Sequence, residues 1–479
     1  MISLALCSHT NVGKTTLLRT LLRRDVGMVL DESHVTDLSE AFSWLKRGEQ
    51  ELRLWDTPGF GDSVRLGKRI TEQGEDGLKW FLTQQFDRQQ ERAFWCNQQA
   101  LRTLHQDADV VLYLLEAEEK PGWLGVEMGL LERLSKPVLV VVNRTGGGRS
   151  QLQLEEFERA WQSNLARWPM VKGVLVLDAF ARCWVMEDRL LEAVEGVLPT
   201  ERQGEMHELR SVWRDENLSL FRKAMNRLGR QLADSALDGE PAPEEQKRPL
   251  LARLTQFGHS KEMEKALTKA REKMSGRLEK RQRAAMDDLI SLHGIEGRSS
   301  HGLEDLAEAH LAKTEGMRES LRGMASGALA GGSIAGVAEL HTGGLTMGVV
   351  TLAGAVLGGA GGYLLAQYNL SKTDHKLYWS FDHFREQVRM ALVRYLAVAH
   401  YGRGLGAWTE GELPQDWTDH ARDVVRDKVH AAWIVKVWKT ALHKDSNRKE
   451  LESQAGEGME VLARLLLEGL YPECRVFLG

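Results

Sequence analysis

Near the start of the chain, hydroxyl, amide and ammonium groups crowd into one short stretch, Ser8-His9-Thr10-Asn11-Val12-Gly13-Lys14-Thr15-Thr16. The spacing matches the phosphate-loop pattern G-x-x-x-x-G-K-S/T at every fixed position except the first, where Ser8 replaces glycine. In such a loop Lys14 reaches the β- and γ-phosphates of a nucleotide, Thr15 ligates Mg2+, and Gly13 lets the backbone approach closely. The amides around Asn11 to Thr16 and the positive end of the following helix face the phosphate chain. Ser8 must hold a turn that glycine would take without strain.

A second group follows at Asp56-Thr57-Pro58-Gly59. After a strand and some forty residues beyond a phosphate loop, D-x-x-G places a carboxylate near the metal and a glycine amide near the γ-phosphate. Asp56 is thus the expected metal partner and Gly59 the expected phosphate sensor. A threonine that senses the same phosphate through Mg2+ belongs between the two motifs. Thr36 is the candidate there, with Ser33 as the alternative.

These residues need a scaffold that delivers them to one edge. The 479-residue chain suggests two to four domains at about 150 residues each. Its 42% hydrophobic and 27% charged content argues against both wholesale disorder and a polytopic membrane protein. Apolar runs at Ile2 to Cys7, Glu51 to Trp55, Asp109 to Leu115, Pro137 to Val142 and Gly173 to Leu177 are separated by helix-length stretches. That rhythm predicts a mostly parallel sheet with helices on both faces. The phosphate loop then follows the first strand, and Asp56 ends the second. No leader segment is expected, because Met1 leads straight into the first apolar run. Cys7, Cys96, Cys183 and Cys474 have no metal-ligand spacing, so neither zinc nor a disulfide framework is expected, and a reducing cytoplasm is the default. A formal charge of -5 gives no general attraction for nucleic acid, and no specific nucleic-acid partner is predicted.

In order and strand context, these motifs resemble the TrmE- and Era-like P-loop GTPases over roughly residues 1–198. The resemblance implies guanine-nucleotide binding and GTP hydrolysis. It places Asn143 and Arg144, at the end of the fourth run, against the base, where that family has Asn-Lys-x-Asp. Gly146 departs from the family's aspartate, which accepts two hydrogen bonds from guanine. Ala179, after the last strand, matches the family's Ser-Ala-Lys backbone contact with guanine. Phe60 stands where many small GTPases carry a water-orienting glutamine. The resemblance supplies another device, because Asn11 matches the asparagine with which TrmE-like enzymes hold K+ against the phosphates. Slow, potassium-stimulated turnover is the expectation. Asp62, Glu72 and Glu75 are candidate water-positioning groups, although solvated helix charges are the more economical reading. Phe60 to Gln106 should hold one or two helices, with Trp80, Phe81, Phe86, Phe94 and Trp95 in the core. Together with Asp178 to Trp184, the departures resemble a bacterial branch of GTPases that carries a long helical C-terminal domain of unknown function.

Beyond residue 198 strand-like runs almost vanish, and a mainly α-helical remainder is predicted. It divides into a charged helical region at 199–322, a glycine-rich apolar hairpin at 323–367 and a C-terminal helical region at 368–479. Asp238 to Pro243 reads as a linker or hinge. Trp379, Phe381, Phe384, Tyr395, Trp433 and Trp438 read as packing positions between helices. Gly323 to Gly362 holds thirteen glycines and no Lys or Arg. Gly344 to Ala366 runs for twenty-three residues without a charge, about the length that spans a bilayer core. Gly323, Gly327 and Gly331, and again Gly354, Gly358 and Gly362, recur every four residues, a spacing that lets helix backbones touch in lipid. Arg318, Arg322, Lys372 and Lys376 flank the hairpin, which places the chain on the cytoplasmic face of a membrane. A hairpin sheathed inside a soluble helical domain is the alternative. The leading expectation is a Mg2+-dependent GTPase whose switch controls a membrane-associated helical domain, with a homodimer as a further partner state. A nucleotide-binding scaffold or pore-forming effector with little turnover is the second reading, and an ATPase the third.

Overall fold

In a computed structural model of the chain, the structure describes residues 1–24, 26, 38–116, 122–143, 151–177, 184–241, 261–295, 368–370, 376–401, 415–443 and 446–471. The chain divides into two compact units, one of Met1–Leu220 with Ala399–Ala407 and Tyr471–Gly479, the other of Phe221–Val398 with Trp408–Leu470.

The first unit is built on six strands: β1 (Ile2–Cys7), β2 (Glu40–Arg47), β3 (Gln50–Asp56), β4 (Val110–Glu116), β5 (Val138–Asn143) and β6 (Val171–Leu177). They lie in the order β2-β3-β1-β4-β5-β6. All pairs are parallel except β2 with β3. β1 and β5 are buried at every position, as strands covered on both faces must be. Alternation sends Ala5, Cys7, Val111, Tyr113, Val140 and Val142 into a core with residues of the helices α2 (Ser63–Thr71), α3 (Gly77–Thr83), α4 (Arg92–Gln106), α5 (Leu124–Glu132) and α6 (Gln151–Leu165). The alternate residues Leu4, Leu6, Leu112 and Val141 face the other side. Helices α1 (Lys14–Leu22) and α7 (Trp184–Val197) complete the layering. The edge strand β2 carries exposed Lys46 and Arg47, which discourages pairing with another chain.

Between Phe60 and Gln106 lie three α-helices and a 3₁₀ turn at Gly74–Asp76, more than the one or two helices expected. Phe81 and Phe94 are buried there, with Phe86 packed between them at ring-centroid distances of 4.9 and 5.7 Å. Trp80 and Trp95 are only partly buried.

Helix α8 (Thr200–Ala236) begins in the first unit, where Arg210 forks onto Asp188 of α7 with both bonds at 2.8 Å. The second unit is mainly helical: α9 (Lys261–Leu292), α10 (Phe381–Ala399), α11 (Gln415–Val424), α12 (Ala432–Ala441) and α13 (Arg448–Leu470). It also holds a small antiparallel sheet of β7 (Gly239–Pro241), β8 (Tyr368–Leu370) and β9 (Lys376–Trp379), in the order β7-β9-β8. Two sequence expectations change here. Gly239 to Pro241 is a strand rather than a hinge, fastened by Arg277 and Arg281 of α9, which both reach Asp238. Trp379 ends a strand rather than sitting on a helix, and its carbonyl accepts from Trp438 Nε1 at 2.9 Å.

Candidate nucleotide site

The site lies where β1, β3 and β5 end, beside the start of α1. β1 delivers the chain at Cys7, and α1 starts at Lys14, so six residues must turn through the gap. They do so with two left-handed backbones, Asn11 at φ 64 and Gly13 at φ 90. Gly13 takes this conformation without penalty, whereas Asn11 does so at a modest cost that its surroundings must offset. Gly13 caps α1 without a side-chain hydrogen bond, leaving the first-turn amides for an outside acceptor.

Lys14 is buried, and its Nζ donates to Ser8 Oγ at 3.0 Å. Burial pulls its ammonium down from the usual lysine range, with Asp56, Cys7 and Glu127 acting against that pull. Thr15 Oγ1 donates to Asp56 Oδ2 at 2.8 Å. Asp56 is 2% exposed; burial pushes its carboxyl up, while Lys14 and the Thr15 hydrogen bond pull it down. The second oxygen, Oδ1, is buried without a hydrogen-bond partner. A hydroxyl oxygen beside a carboxylate with an unsatisfied oxygen suits Mg2+, a hard cation that keeps much of its water and takes few protein ligands. Among the described residues, no group of three or more His, Cys, Asp or Glu side chains is placed to hold a metal by itself.

Gly59 lies directly against this centre. A Cβ there would stand 2.8 Å from Thr10 Cα and 2.9 Å from Lys14 Nζ, so glycine is required by space. The next residue is laced to the loop: Phe60 N donates to Ser8 O at 2.9 Å and Thr10 N to Phe60 O at 3.3 Å. The Phe60 ring is fully buried in the core and turned away from solvent. Asn143 is buried at the end of β5, and its Nδ2 donates to Val12 O at 3.1 Å, which fastens the loop from that side. A Cβ on Gly13 would stand 3.0 Å from the same nitrogen.

Of the residues expected from sequence, Val12, Gly13, Lys14, Thr15, Asp56, Gly59 and Asn143 come together. Asn11 is exposed at the rim, and Thr16 is buried on α1. Thr36, Ser33, Arg144, Gly146 and Ala179 lie outside the described residues, as do Cys183, Cys474 and the hairpin at 323–367. The three water-positioning candidates serve elsewhere or face solvent. Asp62 caps α2 by accepting from Arg65 N at 3.1 Å, Glu72 lies 4.0 Å from Lys68, and Glu75 is exposed.

Four residues escaped the sequence reading. His9 Nδ1 lies 2.8 Å from Glu127 Oε1, and Tyr113 OH donates to Glu127 Oε2 at 2.6 Å. Trp123 stacks on the His9 ring at 4.3 Å and 11°. Glu127 is 0% exposed. Burial pushes the Tyr113 hydroxyl well up, and Glu127 adds to this, so it remains a donor. The legible signal was Glu127 itself, a carboxylate on the helical stripe of Leu124, Met128 and Leu131 that faces the core.

Comparisons with known proteins match two parts of the chain, the second of which begins within the first compact unit. Residues 3–144 match the family of 50S ribosome-binding GTPases, and residues 162–460 match a domain of unknown function, DUF3482. The GTPase Der of Xanthomonas oryzae pv. oryzae is 28% identical over 204 residues, which is 42% of this chain and 36% of that protein. The GTPase Der of Parvibaculum lavamentivorans is 28% identical over 195 residues, 40% of this chain and 36% of that protein. The chain thus spans about a third of the length of these curated relatives. Among solved structures, Aquifex aeolicus Era bound to GDP.AlF4- aligns at 20% identity and a TM-score of 0.28, over 41% of this chain and 56% of that one. GMPPNP-bound NFeoB from S. thermophilus aligns at 14% identity and a TM-score of 0.24, over 44% of this chain and 87% of that one. Because the DUF3482 match takes in well over half of the sequence and the GTPase match accounts for the phosphate loop ahead of it, the chain belongs to the DUF3482 family and carries an N-terminal P-loop GTPase domain.

Proposed function

We propose that the chain hydrolyses GTP with Mg2+ and uses the nucleotide state to control its helical C-terminal region. The observation that carries this reading is the convergence of Lys14 Nζ, Thr15 Oγ1 and the half-satisfied Asp56 carboxylate at the mouth of the left-handed loop. Thr15 and Asp56 would hold Mg2+, directly or through water, and the ion would neutralise charge on the β- and γ-phosphate oxygens. Lys14 exchanges its Ser8 partner for phosphate oxygens and, desolvated as it is, interacts with them more strongly than a surface ammonium would. The first-turn amides of α1 bind the phosphate chain, and Gly59 leaves room for a phosphate beside Lys14.

Hydrolysis needs a water in line with the terminal phosphate, and the Phe60 ring supplies no group to orient it. Asn11, exposed at the rim, would hold K+ through its side-chain oxygen and offset developing charge there. Turnover is therefore slow and stimulated by potassium. The test is phosphate release by the full chain. Multiple turnovers that are faster in potassium than in sodium and lost in Lys14→Ala bear out the proposal. Equal rates in the two salts remove the potassium part, and release that survives Lys14→Ala removes the site.

The buried Phe60 favours a second reading, a nucleotide-binding membrane scaffold or pore-forming effector with little turnover. Nucleotide-dependent leakage of liposomes without phosphate release would select it. Guanine preference is checked by binding titrations with guanine and adenine nucleotides. Membrane contact rests on the charge-free stretch Gly344 to Ala366. Among the described residues no helix is long and apolar enough to cross a membrane. A homodimer in the GTP state is read by sedimentation with and without nucleotide.

A further inference from the structure

The phosphate loop is braced from three directions. Asn143 holds Val12 from β5, and Phe60 is laced to Ser8 and Thr10 from the end of β3. The third brace is not part of any motif. His9 reaches 118 residues along the chain to Glu127 on α5, and Glu127 in turn receives the Tyr113 hydroxyl from β4. Trp123, at the head of α5, covers the imidazole by stacking. The imidazole and the phenol thus meet the two oxygens of a single carboxyl group. A carboxylate with 0% exposure is costly unless its oxygens are satisfied, and here each oxygen has one donor.

We propose that His9 is a positioning residue for phosphate binding, held by Glu127, Tyr113 and Trp123 so that the adjoining Thr10–Asn11 segment keeps its phosphate-facing shape. The proposal rests on the reading of the loop as a nucleotide site. The segment gains from support because Asn11 sits in a left-handed conformation, whose modest cost its neighbours offset. Asn143 and Phe60 grip residues 8, 10 and 12; the imidazole grips residue 9 through its side chain. Without that grip the loop can relax, and its amides no longer converge before the nucleotide arrives. The imidazole touches neither reacting atom, so ground state and transition state suffer alike. Affinity falls while the chemical step is largely kept.

The experiment uses the full chain with Mg-GDP and Mg-GMPPNP as probes. It compares wild type, His9→Ala, His9→Asn and Glu127→Met, with folding checked by circular dichroism. Asparagine carries an amide nitrogen close to the position of the lost imidazole Nδ1. In Glu127→Met the length of the side chain is kept and both oxygens are lost, so neither His9 nor Tyr113 keeps its partner there. The expected result is a dissociation constant at least tenfold higher in His9→Ala for both nucleotides, KM raised with kcat within threefold of wild type, and most of the affinity restored in His9→Asn. Unchanged affinity in folded His9→Ala overturns the proposal, as does a failure of His9→Asn to restore it. If His9→Ala does not fold, Glu127→Met decides, and wild-type affinity there is equally fatal. Wild-type protein that binds neither nucleotide would instead sink the reading of the site itself.

Discussion

Asp56 is the residue at which function and stability pull apart. Its carboxylate is buried, bonded on one oxygen and unsatisfied on the other, and burial raises its pKa above the ordinary aspartate value of 3.8. A carboxyl that is raised in the folded protein holds its proton more tightly there than in the unfolded chain. Between the unfolded value and the raised folded one, the folded state therefore binds more protons, and stability falls as pH rises through that window. Above the raised folded value the full cost of ionisation is present. Asp56→Asn removes this ionisation cost, so it should raise the stability of the nucleotide-free protein at pH above that window and flatten this part of the acid profile. Thermal melts from pH 4 to pH 8 would show it, and a lower melting temperature for the variant at pH 7 would contradict it. The same substitution removes the carboxylate proposed to hold Mg2+, so the variant should gain less melting temperature from Mg-nucleotide than wild type.

Among the elements, the crossing of α8 and α13 is set by two glycines. A Cβ on Gly229 would stand 2.4 Å from the Gly456 backbone nitrogen, and a Cβ on Gly456 would meet Asn226 Oδ1 at 2.6 Å. Backbone cannot swing aside as a flexible side chain can. Gly229→Ala should therefore cost about 1–3 kcal/mol despite alanine's better helix propensity. Urea unfolding followed at the second unit's tryptophans would measure this, and a neutral or stabilising effect would mean that the helices separate at no cost. Elements differ sharply in how legible they were from sequence. β1, β4 and β5 announce themselves as apolar runs because both faces are covered, whereas β3 alternates buried with half-exposed residues and β6 is buried only over its second half. The antiparallel edge β2 does not, since most of its residues are exposed or half-exposed. β7 was read as a hinge because Gly-Glu-Pro has turn chemistry, and only its pairing with β9 makes it a strand. The motif residues Lys14, Thr15 and Asp56 were found because their spacing is fixed by local strand–loop–helix geometry. His9 and Glu127 were not, because no local rule links partners so far apart in sequence.

At the scale of the whole molecule, the chain combines an N-terminal α/β unit with a mainly helical one, and its glycine distribution belongs to neither pattern. Thirteen of its 46 glycines fall between Gly323 and Gly362. If that segment enters a bilayer, full-length protein stays with membranes through a carbonate wash, and deleting residues 323–367 releases it. Recovery of the full chain entirely in the supernatant, with and without nucleotide, would refute insertion. This test does not depend on turnover, so it separates the membrane proposal from the GTPase reading.

The lacing of Phe60 to the phosphate loop bears on how any rearrangement could spread. Since Gly61 N is also held, by Asn97 Oδ1 at 3.1 Å, the backbone from the loop through Gly61 moves as one piece. The first pivot available is Asp62, the cap of α2, so this helix would swing as an arm from a fulcrum fixed at its N-terminus.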